Sequence, residues 1–301
     1  MAATAIRTRV ASARVGARRR WRLTPSTVVF YALAVLALIM LLGPLVWMFG
    51  TALKEGSEIF TWPPSVFPKH WHWDNFVQAW QGAHFSRYFI NSAIVTLVSV
   101  GTNVFLGAMA GYAFARLRFP GRNFLFVVVM ITLMIPNAVL IIPLFLMMKN
   151  VPFTDPGGWL NTYQGVILPT AVTGFSIFLM RQFLQGIPRE LDLAAAVDGA
   201  NLFQVFWHII LPLTKPALAI IAVFTALTRW NDYLWPLVAI RDPELYTVQI
   251  GLKYFIGPYH AQWHLLMAGA VIAAVPMLLV YALFQPFFEQ SLGNLGTGIN
   301  E

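Results

Sequence analysis

The chain has 301 residues, 58% of them hydrophobic and 11% charged, with a formal net charge of +8 and no cysteine. An average soluble domain is about 25% charged, so this composition excludes an ordinary water-soluble globule and makes lipid the main solvent. The lack of cysteine excludes disulfides and thiolate metal sites. The positive charge does not read as nucleic-acid binding either, because no folded domain with spaced base-reading groups accompanies it.

Seven arginines (Arg7, Arg9, Arg14, Arg18, Arg19, Arg20 and Arg22) come first. They read as a cytoplasmic topology signal. Leu23–Leu53 is then free of charge for 31 residues. That is too long for the apolar core of a signal peptide, about 7 to 15 residues. It is long enough to span a membrane, which takes about 20 residues. Four further charge-free windows follow: Tyr88–Ala115, Asn123–Met148, Pro156–Met180 and Tyr254–Phe288. A sixth, Pro216–Ile240, is apolar except for Arg229 and Asp232. Lipid cannot satisfy an open backbone, so each span is expected to be a helix. The expected fold is an all-α integral membrane protein with six transmembrane helices.

Between the first two spans, "WPPSVFPKHWHWDNF" (Trp62–Phe76) reads as an interfacial aromatic belt with a rigid loop, or as a docking surface for an external partner. Gly107-x-x-x-Gly111 allows close helix approach in the second span. Pro44, Pro136, Pro143, Pro236 and Pro276 lie within spans, where each removes a helical hydrogen bond and tends to kink its helix. Asn137 is a polar residue within the third span.

The stretch Ile187–Leu213 separates the fourth and fifth spans. Pro188 suits a first helical turn, and Glu190 and Asp192 add negative charge where the helix dipole favours it. Ala194, Ala195 and Ala196 are strong helix formers. Gly199 is a natural stop, and Asn201 with Gln204 forms a capping box for a second helix running to Pro212. Asp198 is placed to serve the turn or the exposed N–H groups of that second helix. Two short helices joined by a hard turn result. The pair either lies on the membrane surface or offers a smooth alanine face that enters a groove on another protein.

In the fifth span, Arg229 and Asp232 are three apart and able to pair. Intramembrane charge is a functional hypothesis by default. Either the two form a structural pair at a wet helix end, or Asn231, Asp232 and Arg229 line the transport pathway, with Asn137 a lesser candidate. His260 and His264 have the i, i+4 spacing of a metal pair. However, Ala261 stands where a glutamate would be expected and no third ligand is evident, so they read as polar residues entering the sixth span. No nucleophile–base pair or carboxylate pair suggests catalysis.

Six spans put both termini on one side. With the N-terminus in the cytoplasm, Arg116, Arg118, Arg122, Arg181, Arg189 and Lys215 join the leader inside. Lys54, Lys69, Arg87, Lys149, Arg241 and Lys253 fall outside. The positive-inside rule favours this orientation.

The spacing P-x-E-L-x-x-A-A-x-x-D-G-A, then F-x-x-I-x-L-P-x-x-x-P, resembles the EAA loop of ABC-importer permeases. It is carried here by Pro188, Glu190, Leu191, Ala194, Ala195, Asp198, Gly199 and Ala200, then Phe206, Ile209, Leu211, Pro212 and Pro216. "GYAFARLRFPGR" (Gly111–Arg122), "MIPNAVLIIPLF" (Met134–Phe145), "WNDYLWPL" (Trp230–Leu237) and the tail "EQSLGNLGTG" (Glu289–Gly298) are similar to stretches of the maltose-type carbohydrate permeases. The resemblance covers nearly all of the chain after Thr27 and leaves the arginine-rich leader unmatched. It implies a basic segment (1–26), a six-helix permease domain (27–290) with a coupling loop (187–213), and a cytoplasmic tail (291–301). It also implies that Glu190, Leu191, Ala194, Ala195, Asp198, Gly199 and Ala200 contact an ATP-binding subunit. The family's glutamate before the two alanines is Leu193 here, so its role is lost or passes to Glu190 or Asp192.

A phosphate-binding loop needs a lysine after glycine, and every lysine here follows another residue. The chain itself is therefore expected to hold no cofactor and to act as no enzyme. ATP and Mg belong to partner subunits. The resemblance implies two ABC ATPases, a second permease (making a heterodimer), an extracytoplasmic solute-binding protein and a sugar or sugar-like cargo such as an oligosaccharide or glycerol phosphate. The place implied is the inner membrane of a bacterium or archaeon, with no role for nucleic acid. The rival reading is an ion-coupled secondary transporter or channel. That reading needs repeated halves around midplane ion sites, and no repeat is visible.

Overall fold

The computed structural model describes residues 25–297 except 83, 155 and 258–260, and the side chains only as far as 285. The arginine-rich leader and His260 lie outside the described residues, as do the side chains of the Glu289–Gly298 motif. The chain divides into two compact units, 1–47 and 48–301.

In the first unit, helix α1 (Pro25–Ala52, which continues into the second unit) is apolar on all sides and exposed along nearly its whole length to Trp47. A helix with no polar face belongs in an apolar medium. Pro44 lies inside this continuous helix.

The second unit continues with α2 (Asp74–Gly82), α3 (Phe85–Arg116), α4 (Arg122–Met134), α5 (Asn137–Lys149), α6 (Tyr163–Ile167) and α7 (Gly174–Gln185). After these come α8 (Glu190–Val197), α9 (Leu202–Val205), a π-turn (Phe206–Ile210), α10 (Leu211–Leu213), α11 (Lys215–Trp230), α12 (Leu234–Ala239), α13 (Val248–Gly251) and α14 (Trp263–Thr297). Among the described residues the only β pairing is an isolated antiparallel bridge, Ile256 to Ala261. By length and composition, four helical stretches are able to cross a membrane: Pro25–Ala52, Phe85–Arg116, Tyr163–Gln185 and Trp263–Gln285. Two bent pairs, Arg122–Met134 with Asn137–Lys149 and Leu202–Leu213 with Lys215–Trp230, raise the number to six if each is one span. The protein is an all-α, multi-pass membrane protein.

Helix α3 is the central element and packs most extensively on α11 and α7. Apolar burial drives little association in lipid, so helices there meet through small and hydrogen-bonding residues. An ideal Cβ on Gly107 would sit 2.7 Å from Ser176 Cβ, and one on Gly111 2.5 Å from Met180 Cβ, so the two glycines do let α3 and α7 touch. The fully buried Asn103 ties the same pair. Its Nδ2 donates to Thr170 O (2.8 Å) and its Oδ1 accepts from Thr173 N (3.0 Å) and Ser176 Oγ (3.3 Å). Near the other end of α3, Asn91 Nδ2 donates to Glu244 O (2.8 Å) and Tyr246 O (2.9 Å), and Ser92 Oγ accepts from Val248 N (2.9 Å). The indole of buried Trp230 joins α11 to α14 through Ala273 O at 2.9 Å.

Four of the expected spans are drawn differently. The third is not straight: α4 and α5 meet at 109°. Pro136 has no N–H to continue the helix, and it forces Ile135 into an extended conformation (φ −86°, ψ 121°). Asn137 therefore opens α5, exposed, rather than sitting in mid-span. The fourth starts at Tyr163, because Pro156–Thr162 is a set of turns with positive φ at Gly157, Gly158 and Asn161. It is also interrupted before α7, where Thr173 and Ser176 form a capping box. The fifth breaks after Trp230, and the sixth begins only at Trp263. Pro143 and Pro276 lie inside helices. Helix α14 also runs on through residues 291–297, which the sequence reading assigned to a tail.

Candidate coupling surface and pathway residues

The segment Ile187–Leu213 folds as two helical pieces around a tight turn. Helix α8 begins at Glu190, one turn boundary after Pro188. The carbonyl of Arg189 accepts the first bonds, from Asp192 N and Leu193 N at 3.1 Å each. It ends in a Schellman arrangement: Ala200 N donates to Ala195 O (2.9 Å) and Gly199 N to Ala196 O (3.1 Å), with Gly199 at φ +84°. The capping box is present. Gln204 N donates to Asn201 Oδ1 (2.9 Å) and Asn201 N to Gln204 Oε1 (2.8 Å). Asp198 thus does not serve the second helix. Asn201 has that place, and the Asp198 carboxylate is exposed beside the turn. The second helix continues to Leu213 through the π-turn, which lies just before Pro212, a residue with no N–H for the His208 carbonyl.

The alanine face is divided. Ala195 is buried and belongs to one apolar cluster with Ala108 and Tyr112 of α3, Met180 and Leu184 of α7, and Ile221 of α11. Its side chain is therefore turned into the bundle, unlike those of Glu190, Leu191 and Ala194 from the same expected contact surface, which are exposed. Ala194 and Ala196 are exposed. So are Leu193 (66%) and Val197 (89%), which are four apart on one side of the helix. The outer face is thus an apolar knob, with Glu190 and Leu191 exposed at its start.

Three contacts fasten the inner side of the loop to the end of α3. Arg116 Nε and Asp192 Oδ2 form an ion pair at 3.0 Å, with side-chain exposures of 6% and 21%. Arg116 Nη2 donates to Ile187 O (2.8 Å) and Arg189 Nη2 to Ala115 O (3.3 Å). Asp192 is committed to Arg116, and Glu190 is the acid of the first turn that makes no ion pair among the described residues. Sequence reasoning missed Arg116: it is 76 positions from Asp192, and only the fold brings the two together.

The second candidate group lies where α11 ends. Arg229 Nη1 and Asp232 Oδ2 are paired at 3.1 Å, with exposures of 13% and 19%. Asp232 Oδ1 accepts from Trp235 N at 3.4 Å, opening α12. Asn231 Nδ2 donates to Leu227 O (2.9 Å), and its Oδ1 accepts from Gln249 Nε2 (3.3 Å). Two of these contacts satisfy backbone groups at the break between α11 and α12, Leu227 O and Trp235 N. No hydrogen bond or ion pair joins Asn137 to this group among the described residues.

In the opposite loop, Phe49, Phe67, Trp71, Trp73 and Phe76 form a run of ring contacts, with the Trp71 and Trp73 rings stacked 6.1 Å apart. His264 lies near Gly56 with its Nδ1 buried.

Residues 103–294 match the model of the binding-protein-dependent transport system inner membrane component family. The arabinooligosaccharides transport system permease protein AraQ of Halalkalibacterium halodurans is 36% identical over 269 residues, covering 88% of this chain and 93% of its own length. The diacetylchitobiose uptake system permease protein NgcG of Streptomyces coelicolor is 32% identical over 259 residues, covering 85% of this chain and 83% of its own. A bacterial ABC transporter involved in the import of the acidic polysaccharide alginate shares the fold, with a TM-score of 0.76 at 24% identity over 89% of this chain and 99% of its own. The helical bundle, the loop fastened beneath α3 and these matches together identify the chain as a member of the binding-protein-dependent transport system inner membrane component family, the permeases of ABC importers.

Proposed function

We propose that the chain imports a sugar or sugar-like solute as one of two permeases, a heterodimer, driven by two ABC ATPase subunits and supplied by an extracytoplasmic binding protein. The permease relatives for arabinooligosaccharides and diacetylchitobiose support the cargo class. The N- and C-termini and the Ile187–Leu213 loop face the cytoplasm, in keeping with the distribution of arginine and lysine. ATP and Mg are held by the ATPases, and this chain supplies no catalytic residue.

One observation carries the coupling role: α8 is fastened on its inner side and presents Leu193 and Val197 on its outer side. Closure of the ATPases presses on that knob. The load passes through Ala195 to α7 and α11, and through the Asp192–Arg116 pair to α3. Where the family has a glutamate, this chain makes its contact through the side chain of Leu193. Glu190, Leu191, Ala194, Asp198, Gly199 and Ala200 shape the same surface, and Asn137, Arg229, Asn231 and Asp232 border the solute pathway.

The chain has no cysteine, so a single introduced thiol reports one position. In the assembled transporter, Val197→Cys and Leu193→Cys are expected to cross-link to the ATP-binding subunit, while the buried Ala195→Cys does not. Failure of both outer positions to cross-link, with the complex intact, would overturn the assignment.

A further inference from the structure

Four arginines converge on one cavity at the loop end of the bundle. Arg116 comes from the end of α3, Arg122 from the start of α4, Arg181 from α7 and Arg189 from the approach to α8. The cavity measures about 400 Å³, and Glu190 is the one acid lining it. A second hollow beside it shares Arg122 and Arg189 and adds Arg118.

Several of these groups are held in place. Arg116 is fixed by Asp192 and Ile187 O, Arg189 donates to Ala115 O, and Arg122 Nη1 donates to Leu117 O at 3.2 Å. The Arg181 guanidinium carbon lies 3.9 Å over the ring of Phe126, and its Nε is buried with no hydrogen-bond partner. Among the described residues, Arg118, Arg122, Arg181 and Arg189 have no carboxylate within ion-pair distance. A guanidinium has five N–H donors in a fork suited to phosphate. Arg122 and Arg189 each use one of theirs on a backbone carbonyl, and Arg181 Nε has no hydrogen-bond partner among the described residues. The C-terminal carbonyls of α3 and α7 offset part of the charge, but the cavity remains a cluster of cations in want of an anion.

What lies next to it indicates the source of that anion. Phe124, which lines the second hollow, is 72% exposed, and Leu125, Val127, Val128 and Ile131 continue an exposed apolar face along α4. Basic pockets between membrane helices with an apolar face alongside suit an anionic lipid, its phosphate among the arginines and its chains on the helix.

We propose that Arg122, Arg181 and Arg189, with Arg116 behind them, form a binding site for a phosphate-bearing anion, occupied in the membrane by the headgroup of an acidic phospholipid. The site shares the arginine-rich wall of the coupling loop, so its occupant braces α4 and α7 against the base of α8.

The test uses the assembled transporter in bilayer discs of phosphatidylcholine alone or of equal parts phosphatidylcholine and phosphatidylglycerol. Native mass spectrometry counts the lipids retained after detergent release. In a second arm, inorganic phosphate is titrated into the phosphatidylcholine sample while thermal unfolding is followed. Preferential retention of phosphatidylglycerol is expected. At about a fivefold contribution per arginine near the surface, the double variant R122Q/R181Q should lose about thirtyfold of that preference. R181K should keep most of it, and R87Q, at the other end of α3, all of it. A response to inorganic phosphate alone, abolished in the double variant, would retain the site and assign it to a soluble phosphate. Equal retention of both lipids together with no phosphate response would overturn the proposal, as would a double variant that behaves as wild type. An acidic side chain of the ATPase filling the cavity gives the first of these results. Should the double variant not assemble, R122Q and R181Q decide singly, each expected to lose about fivefold of the preference. The readout is binding, so it stands apart from whether α8 contacts an ATPase.

Discussion

Replacing Asp192 by asparagine tests whether the ion pair beneath α3 holds the coupling helix down. An exposed pair contributes about 0 to 1 kcal/mol, and breaking a fully buried one costs about 3 to 5 kcal/mol. Arg116 is 6% exposed and Asp192 21%, so the pair belongs between these limits. Arg116 also keeps its bond to Ile187 O in the variant, and asparagine still offers an acceptor. A cost of about 2 kcal/mol follows, which is about thirtyfold in the opening equilibrium of α8. The assay is amide hydrogen exchange of the assembled transporter. Amides of α8 in the variant should exchange about thirtyfold faster wherever exchange proceeds by local opening, while those of α11 keep their wild-type rates. Unchanged exchange in α8 would refute the reasoning, because the helix would then be held without the pair. Faster exchange everywhere would show that the pair supports the whole bundle instead.

Three further outcomes are expected. Gly107→Ala should lower the thermal midpoint of the purified complex, an overpacking cost of about 1 to 3 kcal/mol, because its Cβ would meet Ser176 at 2.7 Å. Gly101→Ala, with nothing within 4 Å, should be neutral or stabilising by about 1 kcal/mol; similar effects at both positions would refute the close-packing account. Gly199→Val should destabilise the turn by about 1 to 3 kcal/mol. The cause is its φ of +84°, since its surroundings are open, and Gly199→Asn should cost less in the same unfolding measurement. Asp232→Asn, which leaves Arg229 13% exposed and unpaired, should cost about 2 to 4 kcal/mol. The double change Arg229→Met with Asp232→Leu should recover much of this if the pair is structural, and uptake assays of the double variant then report any separate role in transport.

The parts of the fold that were legible in the sequence rest on local chemistry. Gly199, Asn201 and Gln204 act within a few residues of themselves, so the turn and its cap could be read directly. The Arg229–Asp232 pair needed only helical spacing, and Gly107 and Gly111 only their lack of a side chain. Hydropathy placed the apolar windows but carried no direction, so the 109° bend between α4 and α5 was hidden in an uninterrupted run, with Pro136 its sole marker. Charge-free runs also overstated helix length: Pro156–Thr162 and the described part of 254–262, on either side of 258–260, are uncharged but do not continue an α-helix. The candidate site was legible as a segment and not as a surface. Three adjacent alanines look equivalent in sequence, yet the way α8 sits on the bundle buries Ala195 and exposes its neighbours. The partner of Asp192 and the arginine-lined cavity depend on residues from four separate elements.

Helix α3 has 32 residues and no proline, which at 1.5 Å per residue makes a rod of about 48 Å. One tip is latched to the loop under the bundle by Arg116, and near the other the backbone of residues 244–248 is gripped by Asn91 and Ser92. A rod pinned at both tips has no slack of its own. Compliance in this chain is therefore expected beside the rod and not within it, where the adjoining helix pairs are bent at Pro136 and at Thr214.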